Sequence, residues 1–384
     1  MTNVFFPGSV VGVLGGGLDS FQMTLQLKQM GYQVAVFSEI SNSPAITLAD
    51  YRFTGKITDR NRLDPFATVS DVIILENSYI NPFAAQYLAE HYYVPQGSNL
   101  LSLSQDHYLN SLFLNDLNLN TVPNATAVSF DDLVMQTESI GFPLILKPIQ
   151  KLPRKQYYVL NDLDDLNQVA DLIQNFSFFV EAKIEIEAEF GLVVFKSRSQ
   201  NVEINVLPVV RNFYDEHFEL QTSISNLGNV SQADLMEMKR IATGIANKEA
   251  FMGAISVEFY KAKNGMLYVK SVSEGLRKFG NLYRIMIGKS QEELYLKANL
   301  GLPIPPIKNF GNGINVYFKQ ARLDDIYTQL IIKPDWDFVF YPSRWKNPLD
   351  TAGYLTIKGD NFTEIYERLS NTDIWNLPQE LFES

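Results

Sequence analysis

Short apolar runs alternate with amphipathic stretches over the first hundred residues, which is the pattern of strands and helices around a parallel sheet. The run Val10–Leu14 ends in three glycines at positions 15–17, and a helical pattern follows up to Gly31, which supplies a stop. Residues 34–37 and 72–75 are apolar, and two more strands are predicted at 33–37 and 71–75. The chain is therefore predicted to open as a doubly wound, Rossmann-like α/β domain.

The periodicity beyond residue 104 changes from segment to segment, which predicts mixed α and β structure. A helix is expected near 104–117, and Ser129 is expected to cap a helix that ends at Gly141. Asn161 is expected to cap a helix that continues to about residue 174. The other predicted elements are strands at 144–147, 157–160 and 178–181, a strand-rich stretch at 187–209, helices at 232–248, 291–299 and 362–369, and a hairpin of strands 254–260 and 266–272.

Composition and charge narrow the classes of function. The formal net charge of -11 argues against non-specific nucleic-acid binding, which needs a basic surface. The chain has no cysteine, so disulfides and thiolate chemistry are excluded, and its three histidines show no metal-ligand spacing. No apolar run approaches the length of a membrane span, and no basic residue precedes Lys28 as in a signal peptide. We expect a cytoplasmic protein with no membrane partner.

Four features of the sequence indicate possible binding or catalytic groups. Each of them also has an interpretation in which the residues are purely structural. The glycines at 15–17 suit the approach of an anion to a helix N-terminus, or form only a tight turn. Lys147 ends an apolar strand, where its ammonium meets a phosphate or is solvated. Residues 179–184 followed by Glu189 suit adenine and ribose, or form an acidic hairpin. Glu258 lies within an apolar strand, so its carboxylate must have a charged or hydrogen-bonding partner, bind a metal, or lie on the solvent-exposed face of the sheet.

In this order and at this spacing, the segments resemble the ATP-grasp superfamily and, within it, the 5-(carboxyamino)imidazole ribonucleotide synthetases of purine biosynthesis. The resemblance runs from Val11 to about Lys358. It implies a preATP-grasp Rossmann-like domain at 1–103, an ATP-grasp domain at 104–302 with a lid module near 121–184, and a small β-rich domain at 303–384. The matching motifs are Val13-Leu14-Gly15-Gly16-Gly17, Asp71-Val72-Ile73-Ile74-Leu75-Glu76, Ser104-Gln105-Asp106, Gly141-Phe142-Pro143-Leu144-Ile145-Leu146-Lys147, Val180-Glu181 with Glu189, Gly253-Ala254-Ile255-Ser256-Val257-Glu258-Phe259 and Leu300-Gly301-Leu302-Pro303.

Enzymes of this family use ATP and magnesium to activate bicarbonate as carboxyphosphate, and then carboxylate the amine of 5-aminoimidazole ribonucleotide. The resemblance implies a homodimer, a magnesium ligand at Glu258, and substrate contacts at Gly17, Leu18, Glu76 and Arg344. It implies a nucleotide site formed by His107, Lys147, Glu181, Ala182, Lys183, Ile184, Glu189 and Tyr214.

The sequence departs from the family where chemistry is expected. The loop that closes over the nucleotide is glycine-rich in the family, but residues 151–156 contain no glycine, and Lys155 is the candidate for its lysine. Lys270-Ser271 replaces an Asn-Glu segment that binds metal, so a carboxylate is lost and an ammonium gained. We therefore expect a weakened magnesium site, with Lys270 as a fixed positive charge.

Further departures fall on the substrate side. The family has the motif Pro-Arg-x-His-Asn-Ser-Gly-His, and of its residues this chain keeps only the glycine, as Gly280. Arg277 lies in the same stretch and is a candidate catalytic group of a new anion site. Arg344 remains in register with the basic residues that bind the substrate phosphate, but Asp350 lies where that phosphate is expected.

Three hypotheses follow. The chain is a diverged paralogue that binds ATP with impaired or altered ligase activity, which includes a regulatory protein without turnover. Alternatively, it is an ATP-grasp carboxylate-amine ligase for another substrate, or a working synthetase of the family. A Rossmann dehydrogenase leaves Lys147, Glu189 and Glu258 without a role.

Overall fold

The structure is a computed structural model. It describes residues 3–76, 80–151, 156–198, 202–309, 311–342, 350–359, 361–375 and 377. Among these residues, no helix is both long enough and apolar enough to cross a bilayer.

The N-terminal domain is built on a parallel sheet of four strands in the order β3-β2-β1-β4. Its elements are β1 (Val10–Leu14), α1 (Leu18–Gln29), β2 (Gln33–Ser38), α2 (Pro44–Leu48), β3 (Tyr51–Thr54), α3 (Arg60–Val69), β4 (Val72–Leu75) and α4 (Pro82–His91). The doubly wound opening is thus confirmed. Strand β3 was not predicted, because this edge strand is mostly exposed and has no apolar run.

A second module contains an antiparallel sheet in the order β5-β8-β6-β7. Its elements, with the two helices that precede it, are α5 (Asn99–Gln105), α6 (His107–Asp116), β5 (Asn124–Ala127), α7 (Phe130–Ile140), β6 (Leu144–Pro148), β7 (Tyr158–Leu160), α8 (Ala170–Ile173) and β8 (Phe178–Ala182). The Ser129 cap and the Gly141 stop are as predicted.

One helix prediction in this module is confirmed except at its start, and another was wrong. The helix expected near 104–117 is divided at Asp106, which has extended backbone and accepts a hydrogen bond from the N–H of Leu109 at 2.8 Å. The helix expected from Asn161 to 174 is a 3₁₀ turn at Asp164–Gln168 followed by the short α8. In both places aspartate side chains bind nearby backbone N–H groups, and this competes with a continuous helix.

The largest described sheet has nine strands, of which eight follow the order β14-β13-β9-β11-β12-β15-β17-β16 while β10 pairs with β9. Strands β15 to β17, which fall in the predicted C-terminal domain, therefore continue the sheet of the central domain. The elements are β9 (Ile186–Arg198), β10 (Val202–Val206), β11 (Val210–Tyr214), β12 (Leu220–Ile224), α9 (Gln232–Lys248), β13 (Gly253–Ala262), β14 (Leu267–Glu274), α10 (Tyr283–Ile287), α11 (Gln291–Asn299), β15 (Asn312–Lys319), α12 (Leu323–Ile332), β16 (Asp337–Phe340), β17 (Thr351–Gly359) and α13 (Phe362–Ser370).

One hydrophobic core joins the N-terminal domain to the large sheet. It includes Val36 of β2, Phe195 of β9 and Tyr295 of α11, all fully or almost fully buried. Continuous burial of this kind fixes the two domains against each other, because separating them would expose apolar surface to water. The cleft between the domains therefore has a defined shape.

A buried acid lies at this junction. Glu274, at the end of β14, accepts a hydrogen bond from the Gln96 amide at 2.9 Å, and the same amide contacts the Tyr295 hydroxyl. Burial raises the pKa of Glu274 to about 8. The carboxyl is therefore largely protonated at neutral pH.

Candidate functional site

A cavity of about 530 Å³ lies where the three sheets meet. Its walls come from the start of α1, from β6 and β8 of the small sheet, and from β9, β11, β13 and β14 of the large sheet. Most of the residues singled out in the sequence therefore line one space, although they are spread over more than 200 positions of the chain.

The small sheet contributes a buried ion pair. Lys147 of β6 donates to Glu181 of β8 at 2.9 Å, and both side chains are more than 90% buried. Lys147 pairs in register with Phe179, so Glu181 is its diagonal neighbour on the same face. The Tyr157 ring lies 5.4 Å from the ammonium. A lysine held in this way presents a positive charge to the cavity at a fixed position.

The large sheet contributes a second ammonium, Lys270 of β14. It donates to Glu189 of β9 at 2.7 Å and lies 3.5 Å from Glu258 of β13. The ammonium also lies over the rings of Tyr214 and Tyr260, at 4.1 and 5.2 Å from their centroids. Burial opposes the charged form, but the attraction of the two carboxylates outweighs it and raises the pKa of Lys270 well above its usual range.

A β-bulge determines where Lys270 points. Glu258 pairs with Ser271 and Phe259 pairs with Val269, so Lys270 is the extra residue on β14. In a regular strand, Lys270 and Ser271 would face opposite sides of the sheet. The bulge lets both reach the face that carries Glu258, and Ser271 donates to Glu258 at 3.3 Å. Tyr214 also donates to Glu258, at 2.6 Å.

The predicted nucleotide residues divide into two groups. His107, at the start of α6, lines the cavity, stacks on Phe179 with ring centroids 6.0 Å apart, and its Nε2 lies 3.3 Å from the Tyr157 hydroxyl. Ala182, Lys183 and Ile184 do not line the cavity as described. The N–H groups of Ala182 and Lys183 donate to the carbonyls of Pro123 and Pro143, both at 2.9 Å. Recognition of adenine by these two N–H groups would require those hydrogen bonds to break.

The predicted substrate side lies at the start of α1. Gly17 and Leu18 line the cavity, and the carboxylate of Glu76, just after β4, accepts hydrogen bonds from Ser20 Oγ at 2.7 Å and from the Gly17 N–H at 3.2 Å. Burial, and secondarily the charge of Asp19, raise the pKa of Glu76 to about 7. Glu76 therefore changes charge near neutral pH.

Replacement of Gly15 by alanine is expected to displace Glu76. A Cβ on Gly15 would lie 2.0 Å from Glu76 Oε2, and the φ of Gly15 is +129°. We expect a loss of about 1–3 kcal/mol in the free energy of unfolding, measured by chemical denaturation. Gly8→Ala is the matched control, since Gly8 has a φ of +100° and nothing within 4 Å of the added Cβ. Equal losses in the two variants would show that contact with Glu76 is not the cause.

The predicted catalytic residues are only partly placed. Arg277 lines the cavity immediately before the 3₁₀ turn Lys278–Leu282. Burial raises the pKa of Asp19, and the charges of Lys278 and Arg277 partly oppose this rise. Lys155 and Arg344 lie outside the described residues. Their roles stay predictions, as do those of the other site residues.

Several cavity residues were missed in the sequence. Tyr260 follows Glu258 by two positions on β13, so the alternation of a strand would have placed it on the same face. Tyr157, Tyr341 and Tyr354 reach the cavity from distant parts of the chain, and no local pattern signals them.

Glu258 is the predicted magnesium ligand, and the side chains around it determine whether a divalent ion fits there. In the described ranges, no group of three or more acidic or histidine side chains is arranged to hold a metal ion. Glu189 lies on the neighbouring strand, and the Lys270 ammonium is 2.7 Å from Glu189 and 3.5 Å from Glu258. The residues present do not fit a divalent ion between these carboxylates.

Comparisons with known proteins agree with this architecture. A model of the ribonucleotide synthetase preATP-grasp domain matches residues 9–105, and a model of the ATP-grasp domain matches residues 112–276. The N5-carboxyaminoimidazole ribonucleotide synthase of Staphylococcus saprophyticus is 26% identical over 364 residues, covering 94% of this chain and 96% of the relative. That of Bacillus subtilis is 26% identical over 302 residues, covering 78% of each. A solved structure of an ADP complex of N5-carboxyaminoimidazole ribonucleotide synthetase superposes with a TM-score of 0.92 at 23% identity, covering 98% of this chain and 99% of the other.

Proposed function

Because this chain belongs to the ATP-grasp family, with a ribonucleotide synthetase preATP-grasp domain ahead of its ATP-grasp domain, we propose that it binds ATP in the described cavity. We further propose that it is a diverged relative of the N5-carboxyaminoimidazole ribonucleotide synthetases, with altered ligase chemistry. The observation that carries the second part is the position of Lys270 between Glu189 and Glu258.

The arrangement around Lys147 supports ATP binding. A phosphate approaching from the cavity would meet the Lys147 ammonium, whose position Glu181 and the Tyr157 ring fix. His107 and Phe179 form an aromatic wall close by. Phosphoryl transfer needs mainly positioning and neutralisation of charge, so these residues serve the reaction by holding the phosphates rather than by covalent chemistry. The ADP complex of a similar structure supports the same ligand here.

The arrangement around Lys270 supports altered chemistry. One ammonium brings one positive charge, whereas a divalent ion brings two and can bind several phosphate oxygens at once. A site with this substitution stabilises the charge that develops during phosphoryl transfer less strongly. The expected result is slow turnover of ATP, or use of a substrate other than 5-aminoimidazole ribonucleotide.

A working synthetase is the second candidate. It is favoured by Glu76, which is buried and held by Ser20 and Gly17 at the substrate side, and by the match along 96% of a named synthase. On this candidate, Lys270 and the altered loop would perform the reaction of the family.

The test is ADP formation from ATP with magnesium, bicarbonate and 5-aminoimidazole ribonucleotide, with controls that omit each component. We expect little or no turnover that depends on the ribonucleotide, together with measurable ADP binding by calorimetry. Rapid turnover that requires the ribonucleotide would favour the working synthetase and contradict altered chemistry. Absence of ADP binding would contradict the proposal as a whole.

The homodimer and the cytoplasmic location implied by the family are part of the same proposal. Sedimentation of the purified protein tests whether it is a homodimer.

A further inference from the structure

The side chains around Lys270 already form a complete site for a cation. Two carboxylates contact the ammonium, Glu189 at 2.7 Å and Glu258 at 3.5 Å, and two tyrosine rings face it. Each of these four groups comes from a different position on the large sheet, and the bulge at Lys270 brings the ammonium among them. Several side chains therefore hold one positive charge in place beside the cavity.

A divalent ion between the same carboxylates would be unfavourable. It would lie within a few ångströms of the ammonium, and like charges at such distances repel strongly in a poorly solvated site. It would also have to displace Lys270 from Glu189 and Glu258, whose side chains are 19% and 15% exposed. The remaining neighbours, Tyr214 and Ser271, donate hydrogen bonds to Glu258 and so satisfy its oxygens without a metal.

We propose that Lys270 is the resident cation of this site, so that the chain binds its nucleotide without a metal ion on Glu258. The phosphates then meet two fixed ammonium groups, Lys147 on the small sheet and Lys270 on the large sheet, both of which line the cavity. An ammonium has three N–H donors, and Lys270 uses two of them on carboxylates within the described part of the chain. Neither carboxylate uses the third, and because Lys270 lines the cavity we infer that a bound phosphate oxygen accepts from it. This inference rests on the proposed binding of ATP.

The first test is ADP affinity measured by calorimetry, once with magnesium and once with EDTA. We expect the two dissociation constants to agree within about threefold, because no metal on the protein is lost. ADP binding that appears only with magnesium would overturn the inference and leave the proposed nucleotide site intact. Absence of binding under both conditions would instead contradict the proposed function, and the second test would then decide on the metal.

The second test needs no nucleotide. Manganese binding is followed by electron paramagnetic resonance in the wild type and in Lys270→Gln. We expect the wild type to bind no manganese at these carboxylates. Lys270→Gln should bind manganese there, and the double variant Lys270→Gln with Glu258→Gln should not. Manganese binding by the wild type that is lost in Glu258→Gln would overturn the inference.

Lys261 provides the matched control. It lies on β13 of the same sheet, pairs with Asp234 at 2.8 Å, and is 16% exposed against 19% for Lys270, but it does not line the cavity. In EDTA, Lys270→Gln should weaken ADP binding by about tenfold or more, the usual cost of a lost charge-assisted hydrogen bond, while Lys261→Gln should leave it unchanged. Lys270→Arg keeps the charge and should retain metal-independent binding. Equal losses in Lys270→Gln and Lys261→Gln would overturn the assignment of Lys270.

Discussion

Replacement of Lys147 by methionine is expected to lower the free energy of unfolding by about 3–5 kcal/mol, because it leaves the Glu181 carboxylate buried without its partner. The same variant should lose ADP binding, since the ammonium that faces the cavity is gone. Urea denaturation measures the first effect and calorimetric titration with ADP the second.

A double variant separates the two effects. Lys147→Met with Glu181→Leu replaces the pair by apolar side chains of similar size, and should recover most of the lost stability. It should not recover ADP binding. If the double variant bound ADP like the wild type, Lys147 would not be a phosphate ligand. If the single variant were as stable as the wild type, the buried pair would contribute little to the fold.

Replacement of Glu274 by glutamine is expected to remove a loss of stability that the wild type shows between pH 5 and pH 8. The pKa of Glu274 is about 8 in the folded chain against an ordinary value of 4.5. Between these values the folded chain binds more protons than the unfolded chain, so folding is weakened as the pH rises. As the pH rises through this window, the free energy of unfolding of the variant, relative to that of the wild type, should increase by up to about 1.4 kcal/mol per pH unit. Glutamine mimics the protonated acid and keeps the acceptor for Gln96.

The measurement is the free energy of unfolding of both proteins at pH 5, 6.5 and 8. Glu203→Gln, a change at an exposed position of β10, is the control and should follow the wild type at each pH. A constant difference between Glu274→Gln and the wild type at all three values would show that Glu274 does not titrate in this window. It would then act only through its packing at the junction.

Local signals in the sequence were enough to predict most of the elements that carry the site. Val10–Leu14, the helix after it, and the helices Gln232–Lys248 and Gln291–Asn299 were predicted closely, because apolar periodicity and caps are local signals. The motifs around Lys147, Glu181 and Glu258 were recognised in order, and the structure places these residues around one cavity. Elements with weak local signals were missed or misjudged, such as the exposed edge strand Tyr51–Thr54 and the helix divided at Asp106.

The charge arrangement of the site depends on contacts that form only in the folded chain. The sequence showed Lys270 where a carboxylate segment was expected, but not that a bulge turns its ammonium towards Glu189 and Glu258. It also gave no sign that Glu274 is buried against Gln96 and Tyr295, or that Tyr157 and Tyr354 reach the cavity. These contacts join residues far apart in the chain. Register, bulges and the meeting of three sheets determine them, and no single segment encodes such long-range geometry.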